Sequence, residues 1–141
     1  MRQLAWAVVA LGLLIAAPAV VQAQQDSDAP TVQLGRNYPN PFNPETTIPF
    51  ALSPALWANG NTPVVSLRIY NILAQLVAVP ILQGSGQPLH NVQLEWNGSG
   101  EYSAYWDGKI QNSGRDAASG VYVYQLIVNG RTETRKMTIV K

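Results

Sequence analysis

The sequence has no cysteine, one histidine and two phenylalanines in 141 residues. Without cysteine there are no disulfides, no thiolate metal ligands and no cysteine nucleophile. A single histidine, His90, excludes metal centres built from several imidazoles. Charge is scarce too: 12% of residues are charged, 9 Lys+Arg against 8 Asp+Glu, for a formal net charge of +1. Nucleic-acid binding rests on Lys and Arg neutralising phosphates, so this balance argues against such a partner. What is plentiful is punctuation, with 11 Gly and 10 Pro in a chain that is 47% hydrophobic. The length fits one domain.

The first segment reads as an address. Arg2 supplies a positive start, Leu4 to Ala17 is an uncharged apolar core, and Pro18 ends it. Val21-Gln22-Ala23 then places short side chains at the −3 and −1 positions of a cleavage site, which together make residues 1–23 a secretory signal peptide. The alternative is a membrane anchor, since Leu4 to Val21 is 18 uncharged residues and a span needs roughly 20. Pro18 and the cleavage-like end favour removal. Cleavage of the 141 residues after Ala23 leaves 118, with 8 basic and 8 acidic side chains. That is enough chain to bury roughly two thirds of its unfolded surface.

Residues 24–35 start polar and lack periodicity, which predicts a flexible leader, and residues 36–141 form the folded domain. Within it, short alternating runs are punctuated by Gly, Pro and Asn, the pattern of an all-β sandwich. Thr46, Ile48, Phe50 and Leu52 share one face of a run whose Pro49 predicts an edge strand. Val65, Leu67 and Ile69 share another, and Leu76 to Leu82 is apolar on both faces. Val92, Leu94 and Trp96 alternate up to Asn97-Gly98-Ser99-Gly100, a tight-turn sequence followed by Tyr102, Ala104 and Trp106. Val121 to Val128 predicts a central strand, and Asn129-Gly130 a two-residue turn into a last strand over Arg131 to Lys141. Ser53-Pro54 opens the one short helix candidate. About seven strands in about 95 residues predict an immunoglobulin-like antiparallel β-sandwich.

Five ordered blocks resemble one family. Asn37 to Ile48 (NYPNPFNPETTI) resembles the opening motif of type A C-terminal sorting domains of the type IX secretion system, a class related to Ig-like modules of flagellar hook-capping proteins. Val64 to Gln75, Tyr105 to Gly108 (YWDG), Ala118 to Tyr124 (ASGVYVY) and Lys136 to Lys141 (KMTIVK) resemble its later blocks in the same order. The resemblance covers Gly35 to Lys141. It implies an Ig-like sandwich exported to the cell surface or medium of a Gram-negative-type bacterium. It also implies the outer-membrane export machinery as partner, recognising Asn40, Pro41, Phe42, Asn43, Pro44, Lys136 and Lys141. Trp106, Asp107, Gly108, Gly120, Tyr122 and Tyr124 read as residues that define the fold, and Phe42 also as an apolar plug. Two departures stand out: Ala74 occupies a turn position where the family has Gly, and residues 83–97 form a longer segment than usual.

Chemistry is thin. His90 lies in a Pro/Gly-rich stretch, and no G-x-S-x-G nucleophile motif is present. Glu101, Asp107 and Asp116 are too few for the six to eight oxygens calcium prefers. Asn97-Gly98-Ser99 is a formal glycosylation sequon better read as turn chemistry. The expectation is therefore a chain that is not an enzyme, with no cofactor, no metal and no membrane span once the signal is removed. Three roles compete. The sandwich is itself an exported structural product, with Thr31, Val32, Gln33 and Leu34 adding as a strand to a neighbouring copy to form a homo-polymer. Or it is a sorting and anchoring signal on a chain without cargo. Or it is a glycan- or protein-binding module, with Trp57 as the candidate glycan contact, since Trp96 and Trp106 read as hairpin core.

Overall fold

The computed structural model describes residues 31–141, so the expected signal peptide and residues 24–30 of the expected leader lie outside the described residues. The strands are β1 (Val32–Leu34), β2 (Thr46–Leu52), β3 (Val64–Asn71), β4 (Leu76–Ala78), β5 (Ile81–Leu82), β6 (Val92–Gln93), β7 (Glu101–Trp106), β8 (Gly120–Val128) and β9 (Arg131–Ile139). One sheet has the order β1-β2-β7-β5; the other has β4-β3-β8-β9, with β6 also paired to β3. All pairings between these strands are antiparallel, giving the expected all-β sandwich, and a single parallel bridge joins Phe42 to Ile139.

The strand count is nine rather than seven for two reasons. The apolar run 76–82 breaks at Val79-Pro80, where the chain leaves β3 in one sheet and joins β7 in the other. Proline has no N–H to continue the first ladder. In addition, Val32–Leu34, expected within the flexible leader, pairs in register with Leu52, Ala51 and Phe50. Alternation explains this: Val32 and Leu34 are buried while Gln33 points out.

β2 is consequently paired on both sides rather than forming an edge. Pro49 is tolerated just past the end of β1: Gly35 N–H donates to the Pro49 carbonyl at 2.8 Å, and the Gly35 carbonyl, which Pro49 has no N–H to meet, accepts the Tyr124 hydroxyl instead. β8 lies between β3 and β9, as its two-faced apolar pattern predicted. Asn129 and Gly130 both have positive φ, the geometry of the tight hairpin linking β8 to β9. Ser53 caps the 3-10 segment Pro54–Gly60, its hydroxyl accepting from Ala55 N–H at 3.3 Å.

The inner faces form one core. Ile48, Phe50 and Leu52 of β2, Val65, Leu67 and Ile69 of β3, and Tyr124, Leu126 and Val128 of β8 are all buried in it. Each such aliphatic or aromatic side chain contributes about 1.5–3 kcal/mol on burial.

Candidate functional sites at the two ends of one strand

The end of β7 that carries Trp106 gathers the motif blocks. Phe42 is almost fully buried and meets Trp106 edge-on at 5.6 Å, and Trp106 meets Tyr122 at 5.8 Å. Phe42 is therefore a plug, and burial takes it out of the set of surface recognition candidates. Its backbone is stitched to the last strand: Phe42 N–H donates to Thr138 O and Val140 N–H to Phe42 O, both at 3.1 Å. Asn40 Oδ1 accepts from Thr138 N–H at 3.2 Å. Asp107 Oδ1 holds the following turn through Lys109 N–H at 3.0 Å. Gly108 is required there, because a Cβ would lie 2.0 Å from the Pro44 carbonyl oxygen. The Tyr38-Pro39, Asn40-Pro41 and Asn43-Pro44 bonds are cis.

Asn40, Pro41, Asn43, Pro44, Lys136 and Lys141 remain exposed. Asn40 sits against β9, two residues beyond Lys136, so the first and last candidate recognition segments converge although 98 residues separate Asn40 from Thr138. Lys141 is already engaged, with Nζ 3.8 Å from Asp116 and its N–H donated to Ser119 at 3.1 Å. Gly120 opens β8 with φ +149, and Tyr122 donates its hydroxyl to Ala118 O at 2.8 Å.

Tyr124 ties the first residues of the fold to its centre. Its hydroxyl donates to Gly35 O at 2.7 Å and accepts from Asn37 N–H at 3.1 Å. Burial raises its pKa, against the opposing effects of that N–H and of Arg135 and Arg36. Asn37 Nδ2 in turn donates to Thr46 Oγ1 at 3.0 Å. Arg135 Nε donates to Leu34 O at 2.6 Å, clasping β1 to β9 across the open side of the sandwich. Thr31–Leu34 are thus occupied within their own chain: Ser53 N–H donates to Thr31 O, and β1 takes the edge of β2.

The other end of β7 holds a second aromatic group. Phe50 and Tyr102 stack at 5.6 Å, Tyr102 and Trp57 at 6.3 Å, and Trp57 meets Trp96 edge-on at 5.0 Å. Trp57, the expected glycan contact, is half-buried, and its Nε1–H is donated to Leu94 O at 2.8 Å. Trp96 is instead 42% exposed. The alternation of Val92, Leu94 and Trp96 predicts it in the core, but β6 ends at Gln93, and the buried alternation carries on only as far as Leu94. The Asn97 amide is consumed by the turn, accepting from Ser99 and Gly100 N–H and donating to Glu101 O.

Glu101 begins β7 and Asp107 follows its end, roughly 20 Å of strand apart, so they do not form one cluster. Among the described residues no group of three or more His, Cys, Asp or Glu is placed to hold a metal. Nor is any described helix long and apolar enough to cross a membrane. His90 is exposed on the loop before β6.

No protein-family model and no curated protein matches the chain. Among solved structures, it is similar to the Pseudomonas fluorescens alkylpurine DNA glycosylase AlkC bound to DNA containing an abasic site analog, with TM-score 0.39 and 16% identity. The match covers 78% of this chain and 30% of that one, so the chain spans less than a third of that structure's length. The neighbour is an enzyme, and against it the expectation that this chain is not one is withdrawn. A likeness this distant assigns no reaction, substrate or partner in return.

Proposed function

We propose that this sandwich is an exported module of the type IX sorting-domain kind, working as a surface or extracellular structural component. The observation that supports the reading is the junction of Asn40–Pro44 with the end of β9, where Asn40 and Phe42 bond to Thr138 and Val140. Two of the five family-like blocks lie at opposite ends of the sequence, and here they make one surface with Asn40, Pro41, Asn43, Pro44 and Lys136 outward. A receptor in the export machinery would read that surface only on a folded domain, because unfolding separates its halves. The test is a signal-bearing reporter fused to residues 32–141. It reaches the surface of a host with type IX machinery and stays inside an isogenic host without it; equal display in both overturns the reading.

Assembly through the first strand takes a defined form in this reading. β1 already fills the edge of β2 in its own chain, so a polymer must exchange β1 between copies. Removing residues 24–34 then abolishes polymers, as read by sedimentation, whereas polymers that survive the deletion overturn exchange.

A further inference from the structure

The long segment 83–97 has no role in the junction just described, yet it builds a groove of about 450 Å³ beside Trp96. Its walls include Gln83, Ser85, Gln87, Gln93, Trp96 and Tyr102. Three of these side chains are neutral amides, all exposed, and none makes a side-chain hydrogen bond within the described residues. Glu95 is the one charged residue on the wall.

The indole is held in place rather than left to wander. Trp57 packs edge-on against it and is itself fixed through Nε1 to Leu94 O. Tyr102, next in the stack, is anchored by donating its hydroxyl to Glu95 O at 2.6 Å. Gly100 lies directly behind: a Cβ there would come 2.4 Å from Leu52 O, which requires glycine, and 3.2 Å from Trp96 Cζ3, so the ring rests close against that backbone. Yet Trp96 remains 42% exposed, and its Nε1–H, unlike those of Trp57 and Trp106, is donated to no described residue.

We propose that this groove binds a neutral β-1,4-linked oligosaccharide, with Trp96 as the stacking platform and Gln83, Gln87 and Gln93 as hydrogen-bonding partners of its hydroxyls. Pyranoses with equatorial substituents present a flat C–H face that suits an indole held rigid on its other side. Amides donate and accept at once, as hydroxyl pairs do. A rigid aromatic adds contact area at little entropic cost on binding. The near-absence of charge on the walls selects a neutral chain over an acidic one. This site does not depend on the sorting reading.

The test is titration of the purified residues 24–141 with cellohexaose and xylohexaose, followed by tryptophan fluorescence and calorimetry, with polygalacturonate as the acidic control. At least one neutral hexaose saturates and shifts the fluorescence, and polygalacturonate does not. Trp96→Ala weakens binding about tenfold or more, and Gln93→Ala, at an exposed amide that supports nothing, weakens it several-fold with an unchanged circular dichroism spectrum. Absence of saturation by either hexaose up to about 10 mM, or full binding by both variants, overturns the proposal.

Discussion

One face of β7 carries two aromatic clusters four residues apart, and they end differently. Around Trp106, the rings of Phe42, Trp106 and Tyr122 are buried, and each polar tip is spent on backbone: Trp106 Nε1–H on Lys109 O and the Tyr122 hydroxyl on Ala118 O. Around Tyr102, the stack begins buried at Phe50 and runs outward through Tyr102 and Trp57 to Trp96, whose indole N–H is unspent within the described residues. The same residue types serve closure at one end and display at the other. What separates them is what lies over the rings: the segment carrying Phe42 and Thr46 packs on Trp106, while Trp96, two residues past the buried Leu94, is left 42% exposed.

The sharpest way to break that comparison is truncation. Trp106→Ala removes a fully buried ring and is expected to cost about 3–5 kcal/mol, whereas Trp96→Ala costs at most about 1 kcal/mol. Urea unfolding of both variants measures this directly, and equal losses would erase the distinction between closed and open clusters. Next in size is Tyr124→Phe. It leaves Gly35 O without a donor and Asn37 N–H without an acceptor in a buried setting, at a cost of about 1–3 kcal/mol. The same change loosens β1, so amide exchange at Leu34 and Gly35 rises more than exchange in β8.

These differences trace what the sequence could and could not disclose. The inner faces of β2, β3 and β8 were legible because period-two alternation follows directly from strand geometry. So were the turns at Asp107-Gly108 and Asn129-Gly130, whose residues suit positive φ. Phe42 as a plug was legible from its place in a proline-stiffened lead-in. Trp96 was not, because alternation predicts a face only while the strand lasts, and nothing local marks Gln93 as its last residue. Val32–Leu34 read as leader because three residues are too short for a periodic signal; their pairing is fixed by tertiary partners, the β2 edge and Arg135. The convergence of Asn40 with Thr138 is likewise a product of topology, which no local pattern encodes.

The turn after β3 supplies a smaller and opposite effect. Ala74 has φ +59, the left-handed conformation that the family-like block suggested for this position. The turn is held by Asn71, whose Oδ1 accepts from Leu73 and Gln75 N–H at 3.0 Å. Left-handed φ costs an alanine about 1–2 kcal/mol, and glycine gives back about 0.4–1 kcal/mol through a freer unfolded chain. Ala74→Gly is therefore expected to stabilise by about 0.5–1 kcal/mol, raising the urea midpoint without changing the denaturant slope. The turn lies at the end of β3 away from β6, so its effect adds to that of Trp96→Ala; Asn71 itself pairs with Tyr122 across the β3–β8 ladder, on the Trp106 side.

The smallest effect lies on the opposite face of β7 and is read by pH. Tyr105 donates its hydroxyl to the Glu45 carboxylate; that bond to the neutral phenol, helped by desolvation and by the charges of Glu45 and Asp107, pushes its pKa up to about 12. Tyr102 and Tyr122, one in each cluster, are also raised, but chiefly by burial. The raised value means that the folded state holds the Tyr105 proton more tightly than the unfolded chain, where tyrosine titrates near 10.0. Its stabilising contribution is complete below pH about 10 and is lost as pH climbs toward about 12. The pair is near the surface and screened, so the contribution is small and shrinks with salt. Glu45→Gln removes the charged acceptor, so one tyrosine in the tyrosinate absorbance titration returns toward its ordinary value while the burial-raised Tyr102, Tyr122 and Tyr124 stay put. If instead all tyrosines move together, the four shifts share a global cause, and the separation between the faces of β7 fails.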